Sequence, residues 1–174
     1  MIRVPYIPNH SASELRWLPF DEMIALPPRP STFRSKKEML DWSHDKNTGH
    51  CYFNFAEPSD AGQRLSKDNP VAFLHGFVGD YDAHNITEAE TTRAISDCPS
   101  AFPVTAVSRT YSGGMRMIWA FERPLPVFNG EVAKGVLKRA IKELKLHKLA
   151  PAFDEGAFLD PARYFELGTD WRIL

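Results

Sequence analysis

The sequence predicts an α+β fold whose core has the order β-α-β-β-α-β over residues 71–174. Three observations support this prediction. Residues 71–79 form an apolar run that is typical of a buried strand. Residues 131–146 repeat apolar positions at helical spacing. Between these segments, a Gly-Gly turn joins two short apolar stretches, which predicts a β-hairpin.

Length and composition set limits on the class of protein. The chain has 174 residues, 43% of them hydrophobic, so it can form one domain with a real core. A net charge of −1 excludes polyanion binding by bulk charge, so any nucleic-acid contact must use a local patch. The two cysteines lack a metal-binding spacing, and no apolar run reaches about 18 residues. We therefore expect a cytoplasmic protein without a membrane span.

Residues 1–70 are expected to form an irregular αβ extension that packs on the core. Six prolines within the first 30 residues exclude long helices in this part of the chain. Ser35 and Glu38 form a capping-box pattern that predicts a helix over 36–45. We predict a strand over 51–55 and a loop over 56–70, and residues 13–26 could hold a short helix.

The first core strand ends in two acids, Asp80 and Asp82. Because side chains alternate along a strand, both acids point to one face and Tyr81 points to the other. Two neighbouring carboxylates repel each other, and a divalent cation such as Mg²⁺ or Mn²⁺ would relieve that repulsion. The alternative is that both acids are solvated turn residues at a strand end.

The remaining core elements follow in order along the chain. Thr87 and Glu90 form a capping box that predicts a helix over 88–97. Strands are predicted over 102–109 and 115–121, a helix over 131–146, and extended pieces near residue 153 and over 163–167. This is the split βαβ order shared by ferredoxin-like and RNA-recognition-motif folds. In that arrangement the first and third strands are neighbours, the helices cover one face, and the other face is free for a site.

The hairpin turn Ser112-Gly113-Gly114 would lie beside the two acids. Glycine N–H groups can approach a phosphate closely, and the Ser112 hydroxyl adds a donor. Arg116 could bind phosphate oxygens, and strand alternation places it on the face of the acids, opposite Met117. The alternative is a hairpin turn without a ligand, since Ser-Gly-Gly suits any turn.

A third acid is expected, because two metal ions need about three carboxylates in addition to substrate phosphates. Asp154 and Asp160 are the candidates. Asp154 follows apolar residues and precedes a glycine turn, as a ligand at a strand end would. Asp160 precedes a proline and more resembles a turn residue. We therefore expect Asp154 near the acid pair and Asp160 away from it, with Arg163 as a second cation for a triphosphate.

Taken in order, these features resemble the three motifs of the archaeo-eukaryotic primase superfamily, in particular its phage and plasmid primase-polymerases. The motifs are an apolar strand ending in Asp-x-Asp, a hairpin with Ser-Gly-Gly-x-basic, and Phe-Asp followed by Arg. The resemblance covers roughly residues 70–170. One position departs from the pattern, since the second motif normally has His where this chain has Arg116. Arginine supplies the charge but does not titrate near neutral pH.

The resemblance implies a primase or primase-polymerase, a DNA-templated nucleotidyltransferase that makes or extends primers. It implies that Asp80, Asp82 and Asp154 hold two Mg²⁺ or Mn²⁺ ions, and that Ser112, Gly113, Gly114, Arg116 and Arg163 bind the nucleotide. It further implies a single-stranded DNA template and NTP or dNTP substrates. A replicative helicase or a C-terminal accessory region would be a further partner, and a phage or plasmid in a prokaryotic host would be the source.

A basic stripe on the predicted helix 131–146 fits a nucleic-acid partner. Its lysines fall within about one third of the helix circumference; they are Lys134, Lys138, Lys142 and Lys145. The alternative is a solvated helix face. A second concentration of basic residues in the N-terminal extension alternates with Trp17, Phe33 and Trp42, which could stack single-stranded bases.

Two other functions are compatible with the same residues. Arg116 in place of His would suit a primase-like module that binds nucleic acid or initiates replication without catalysis. The acids would also suit an unrelated Mg²⁺-dependent nuclease or phosphohydrolase.

Overall fold

The computed structural model describes residues 3–8, 12–26, 30, 32–44, 51–53, 55–110 and 112–174. Within these residues the chain forms two antiparallel sheets and several helices, which confirms the α+β class. The strands are β1 (Arg3–Ile7), β2 (Arg16–Pro19), β3 (Cys51–Phe53), β4 (Ala56–Pro58), β5 (Val71–Tyr81), β6 (Ala106–Arg109), β7 (Met115–Pro126), β8 (Tyr164–Glu166) and β9 (Thr169–Ile173). The helices are α1 (Phe20–Ile24), α2 (Lys36–His44), α3 (Glu88–Ser96), α4 (Gly130–Leu144), α5 (Leu146–Leu149) and α6 (Glu155–Leu159).

The larger sheet has the strand order β4-β5-β7-β6-β9 and carries the predicted core. The first and third core strands, β5 and β7, are antiparallel neighbours, as the sequence predicts. Helices α3 and α4 pack on one face of this sheet. Leu137 and Ile141 of α4 share a buried cluster there with Met117 and Trp119 of β7. The helix-facing half of the predicted fold is therefore confirmed.

The opposite face of the larger sheet differs from the prediction, because it is covered rather than free. A second sheet, with the order β2-β1-β3-β8, lies on it. Val78 and Ile118 from the larger sheet share a buried cluster with Val4, Phe20 and Phe165. The physical reason is that β5 and β7 are apolar on both faces, so each face needs a cover.

The end of the chain also differs from the prediction, in where its extended pieces lie. The segment near residue 153 forms only an isolated bridge from Phe153 to Tyr81. Strand β8 pairs with β3, and β9 pairs with β6. Between them Gly168 lies tightly against β6, where an added Cβ would be 2.3 Å from the Arg109 carbonyl oxygen. The edge beside β5 is taken by β4 instead.

The boundary predicted at residue 70 remains a prediction. Both sheets combine strands from either side of it, since β4 pairs with β5 and β3 pairs with β8. The segment 13–26 forms β2 and the short helix α1, and the expected loop 56–70 includes β4. Asn54 of the predicted strand 51–55 lies outside the described residues.

The predicted helix starts agree with the structure. The Thr87 hydroxyl accepts a hydrogen bond from the Glu90 N–H, and the Glu90 carboxylate accepts one from the Thr87 N–H, so the capping box of α3 is complete. At α2 the Ser35 hydroxyl accepts from the Glu38 N–H at 3.1 Å. Helix α4 ends where Lys145 adopts a left-handed conformation with φ of 53°.

Among the described residues, no helix is long and apolar enough to cross a membrane.

Candidate active site

A cavity of about 440 Å³ opens between the two sheets at the C-terminal end of β5. It brings together five residues that the sequence analysis selected: Asp80, Asp82, Ser112, Arg116 and Arg163. The other residues that line it are Thr110, Tyr164, Phe165, Glu166 and Leu167. A volume of this size lies in the usual range for small-ligand sites.

The centre of the cavity is an ion pair between neighbouring strands. Asp80 of β5 and Arg116 of β7 are direct cross-strand partners, so their side chains leave the same face of the sheet. Arg116 Nε donates to Asp80 Oδ1 at 3.0 Å. The Arg116 side chain is 11% exposed and that of Asp80 is 7% exposed. The predicted orientation of Arg116 towards the acids is thus what the structure shows.

Strand β8 holds the Arg116 guanidinium from the other side. Arg116 Nη1 donates a hydrogen bond to the Glu166 carbonyl oxygen. Its Cζ lies 4.9 Å from the centroid of the Phe165 ring, in a cation–π arrangement. Arg116 therefore connects the two sheets as well as neutralising Asp80.

The two acids of β5 differ in environment. Burial raises the pKa of the Asp80 carboxyl; Arg116 opposes this, while the charges of Asp82 and Asp154 add to it. Asp82 lies just beyond the strand and is exposed. Among the described residues its carboxylate has no hydrogen-bond or ion-pair partner. The two acids therefore consist of one buried carboxylate that is paired with a guanidinium and one accessible carboxylate.

Asp154 lies next to Asp80, but its carboxylate is used locally. The Asp154 N–H donates to the Asp80 carbonyl oxygen at 2.8 Å. Its Oδ1 accepts from the Ala157 N–H at 2.9 Å, which caps the start of α6. Asp160 lies in the following turn, where its Oδ1 accepts from the Ala162 N–H. The structure thus places Asp154 near the pair and Asp160 in a turn, although the cavity lining does not include Asp154.

The acids do not form a ready centre for two metal ions. No three His, Cys, Asp or Glu residues in the described part of the chain are grouped so that they could hold a metal. Asp80 is already paired with a guanidinium, and Asp154 caps a helix. That leaves Asp82 and the second carboxylate oxygen of Asp80, which are too few donors for two metal ions.

The Ser-Gly-Gly turn closes one side of the cavity, and its glycines are needed for its shape. Gly113 has a φ of +87°, and a Cβ on Gly114 would lie 2.2 Å from the Tyr81 carbonyl oxygen. Both N–H groups are used inside the turn: Gly113 donates to the Thr110 carbonyl oxygen at 3.1 Å and Gly114 to the Thr110 hydroxyl at 2.8 Å. Ser112 is exposed at the cavity. Tyr111 lies outside the described residues.

Sequence reasoning assigned no role to β8, which supplies much of the cavity wall. Tyr164 to Leu167 follow Arg163 directly and alternate in burial. The sequence predicts that this segment is extended. It does not predict the pairing partner, because β3 lies more than a hundred residues away in the chain. Arg163 itself is exposed at the cavity and follows the Asp160 turn, where its N–H donates to the Asp160 carbonyl oxygen at 3.0 Å.

The predicted nucleic-acid-binding lysines lie away from the cavity. Lys134, Lys138 and Lys142 are exposed on the outer side of α4, and Lys145 is exposed at its C-cap. The apolar side of α4 packs on the sheet face opposite Asp80 and Arg116. Of the aromatic residues predicted to stack bases, Trp17 contacts the His75 ring at 4.4 Å between centroids, and Phe33 contacts Trp42 at 5.9 Å. The basic residues that alternate with these aromatics in the sequence are Arg3, Arg16, Arg29, Arg34, Lys36 and Lys37, of which Arg29 lies outside the described residues.

Comparison with known proteins gives one distant structural likeness. No protein-family model and no curated protein matches the sequence. Among solved structures, the fold is similar to the polymerase domain of Mycobacterium tuberculosis ligase D in complex with DNA. The TM-score is 0.42 and the identity 11%, over 94% of this chain and 67% of that chain. A likeness this distant assigns neither a family nor a function to the chain.

Proposed function

We propose that the chain is a nucleotidyltransferase, a primase or primase-polymerase that makes or extends primers on single-stranded DNA. The observation that carries the proposal is the meeting of two carboxylates and two guanidiniums in one cavity, from Asp80, Asp82, Arg116 and Arg163. Phosphoryl transfer requires little covalent chemistry from the protein. It requires that a phosphate chain be positioned and that its developing charge be stabilised.

The two arginines suit different parts of that task. Arg116 is nearly buried and is held by Asp80, Glu166 and Phe165, so it offers a positive charge at a fixed position. Arg163 is exposed at the cavity, so its guanidinium can contact the phosphates of an incoming nucleotide. The Ser112 hydroxyl would add a donor to the phosphates. Gly113 and Gly114 would then shape the turn, because their N–H groups already donate to Thr110.

Asp80 and Asp82 would hold Mg²⁺ or Mn²⁺ together with oxygens of the substrate. Such an ion would stabilise the pyrophosphate leaving group and make the attacking hydroxyl more acidic. Asp154 stays a predicted third acid, and to serve as one its carboxylate would have to release the Ala157 N–H.

The partners follow from the same proposal. The cavity would hold an NTP or dNTP and the end of a primer. The α4 lysines lie on the opposite side of the sheet, so they would hold nucleic acid outside the cavity. A replicative helicase or accessory region, a phage or plasmid source, and action in a prokaryotic cytoplasm belong to the proposal as well.

One observation favours the second candidate, a nucleic-acid-binding module without catalysis. Arg116 forms an ion pair with Asp80, and the described residues contain no group of three acids that could hold a metal ion. The test is nucleotide incorporation on a single-stranded template without a primer, with Mn²⁺ or Mg²⁺ supplied. A nucleotidyltransferase makes a labelled nucleic-acid product. A binding module binds the template but makes no product, and a nuclease or phosphohydrolase degrades the template or the nucleotide.

A further inference from the structure

We infer that Thr110 is a positioning residue for nucleotide binding, because its hydroxyl orients the Ser112 hydroxyl as a hydrogen-bond donor to phosphate. The inference rests on the proposed function and deepens it, since it names the group that prepares one of the phosphate contacts. Thr110 lines the cavity although it is only 6% exposed. Its hydroxyl therefore acts on the cavity from inside the turn.

The first argument concerns the single proton of the Thr110 hydroxyl. Thr110 Oγ1 accepts a hydrogen bond from the Gly114 N–H at 2.8 Å, so the hydroxyl still has its own proton to donate. Within the described part of the chain, the acceptor that this hydroxyl reaches is Ser112 Oγ, at 3.1 Å. The hydrogen bonds of the turn are therefore satisfied when Thr110 donates to Ser112.

The second argument concerns the proton that this leaves on Ser112. Because Ser112 Oγ accepts from Thr110, its own proton is available to a group in the cavity, which Ser112 lines. A hydroxyl that accepts one hydrogen bond becomes a stronger donor in the next. Phosphate oxygens accept hydrogen bonds, and their charge strengthens them. The oriented hydroxyl of Ser112 is thus matched to a phosphate.

The third argument is that the main chain at Ser112 is held in place as well. His84 Nδ1 lies 3.2 Å from the Ser112 carbonyl oxygen, and Nδ1 is the donor because a carbonyl oxygen can only accept. Gly114 lets the turn close on Thr110, since a Cβ there would lie 2.8 Å from Thr110 Oγ1. Both the main chain and the hydroxyl of Ser112 are therefore fixed before a ligand binds, which lowers the ordering cost of binding.

The test is a double-mutant cycle that measures the affinity for ATP, dATP and inorganic tripolyphosphate with Mg²⁺ present. Ser112→Ala removes the donor, and Thr110→Val removes the hydroxyl that orients it but keeps the shape of the side chain. Each single variant should bind the three ligands about three- to tenfold more weakly, which is the effect of one hydrogen bond. The double variant should bind them no more weakly than Ser112→Ala alone. Thr110→Ser keeps the hydroxyl and should bind as the wild type does.

Thr105→Val is the matched control, because Thr105 and Thr110 flank the two ends of β6. The Thr105 hydroxyl accepts from the Ala120 N–H at 2.9 Å, so this change also removes a hydrogen bond between a backbone N–H and a threonine hydroxyl. Both Thr→Val variants should have a lower melting temperature than the wild type. Thr105→Val should nevertheless keep the wild-type affinity for all three ligands, which separates lost stability from a lost orientation of Ser112.

Wild-type affinity in Thr110→Val would overturn the inference, as would a further loss of affinity when Thr110→Val is added to Ser112→Ala. A loss for the nucleotides without a loss for tripolyphosphate would also overturn it, because the hydroxyl would then contact the sugar or the base. Where Thr110→Val does not fold, Thr110→Cys takes its place in the cycle, since a thiol is only a weak donor. These outcomes leave the proposed nucleotidyl transfer intact. A folded wild type that binds none of the ligands and makes no product would remove both.

Discussion

Asp80 and Arg116 face each other across the β5–β7 pair, and their side chains form a 3.0 Å ion pair that is nearly closed to solvent. The pair lies where the two sheets meet, because Glu166 and Phe165 of β8 hold the guanidinium from the other side. A single arginine therefore supports both the packing of the sheets and the charge of the cavity. Changes at Arg116 should affect stability and function together.

Arg116→Ala is expected to weaken nucleotide binding far more than template binding, because the lost charge faces the cavity. It should also lower stability by about 3–5 kcal/mol, as removal of one partner of a buried ion pair does. Arg116→His should keep part of the activity and make it pH-dependent near neutral pH. Nucleotide titrations with Mn²⁺ present, with Arg139→Ala as the control, check this. Equal nucleotide affinity in the wild type and Arg116→Ala would show that Arg116 is structural.

Gly114→Ala is expected to disrupt the turn beside the cavity. The new Cβ would lie 2.2 Å from the Tyr81 carbonyl oxygen and 2.8 Å from the Thr110 hydroxyl, so the strand ends must separate. Gly135→Ala is the matched control, because nothing lies within 4 Å of its Cβ and it is in α4. That variant should gain about 0.5–1 kcal/mol, as Gly→Ala in a helix does. Chemical unfolding of both variants checks the contrast, and a Gly114→Ala protein of wild-type stability would contradict it.

The shared face of Asp80 and Arg116 could be predicted from the sequence, since alternation along two adjacent strands fixes which face each side chain takes. Their direct pairing across the strands could not, because alternation does not set the register. The second sheet could not, because β8 pairs with β3 from the other end of the chain and no local pattern encodes that pairing. The capping role of Asp154 was readable, as Asp is a favoured residue before a helix. It was missed because the helix that follows has only five residues.

Stability should decline at alkaline pH through Cys98. Burial raises the pKa of the Cys98 thiol from 9.0 to about 11. Because the thiol loses its proton more easily in the unfolded state, the protonated Cys98 contributes fully to the stability of the folded state below about pH 9. This contribution is lost as the pH rises through 11. Cys98→Ser does not titrate in this range. The fall in melting temperature between about pH 8 and about pH 10.5 should thus be larger for the wild type than for Cys98→Ser. Equal falls would contradict the assignment.

The basic side of α4 should contribute to DNA affinity without affecting nucleotide binding. Replacing its four lysines with glutamine should weaken single-stranded DNA binding. It should also flatten the plot of log affinity against log salt by about 0.7 for each lysine that contacts a phosphate. The residues to change are Lys134, Lys138, Lys142 and Lys145. Fluorescence anisotropy over a salt series measures both effects, and an unchanged slope would identify the stripe as a solvated helix face.

Primer synthesis by the wild type and by Asp82→Asn tests the central claim most directly. Asp82 is exposed and its carboxylate has no partner among the described residues, so its loss should not lower the melting temperature. On an unprimed single-stranded template with Mn²⁺, the wild type should make labelled product and Asp82→Asn should make none. Equal product from both proteins, or no product from a folded wild type that still binds DNA, would contradict the claim that this cavity transfers nucleotides.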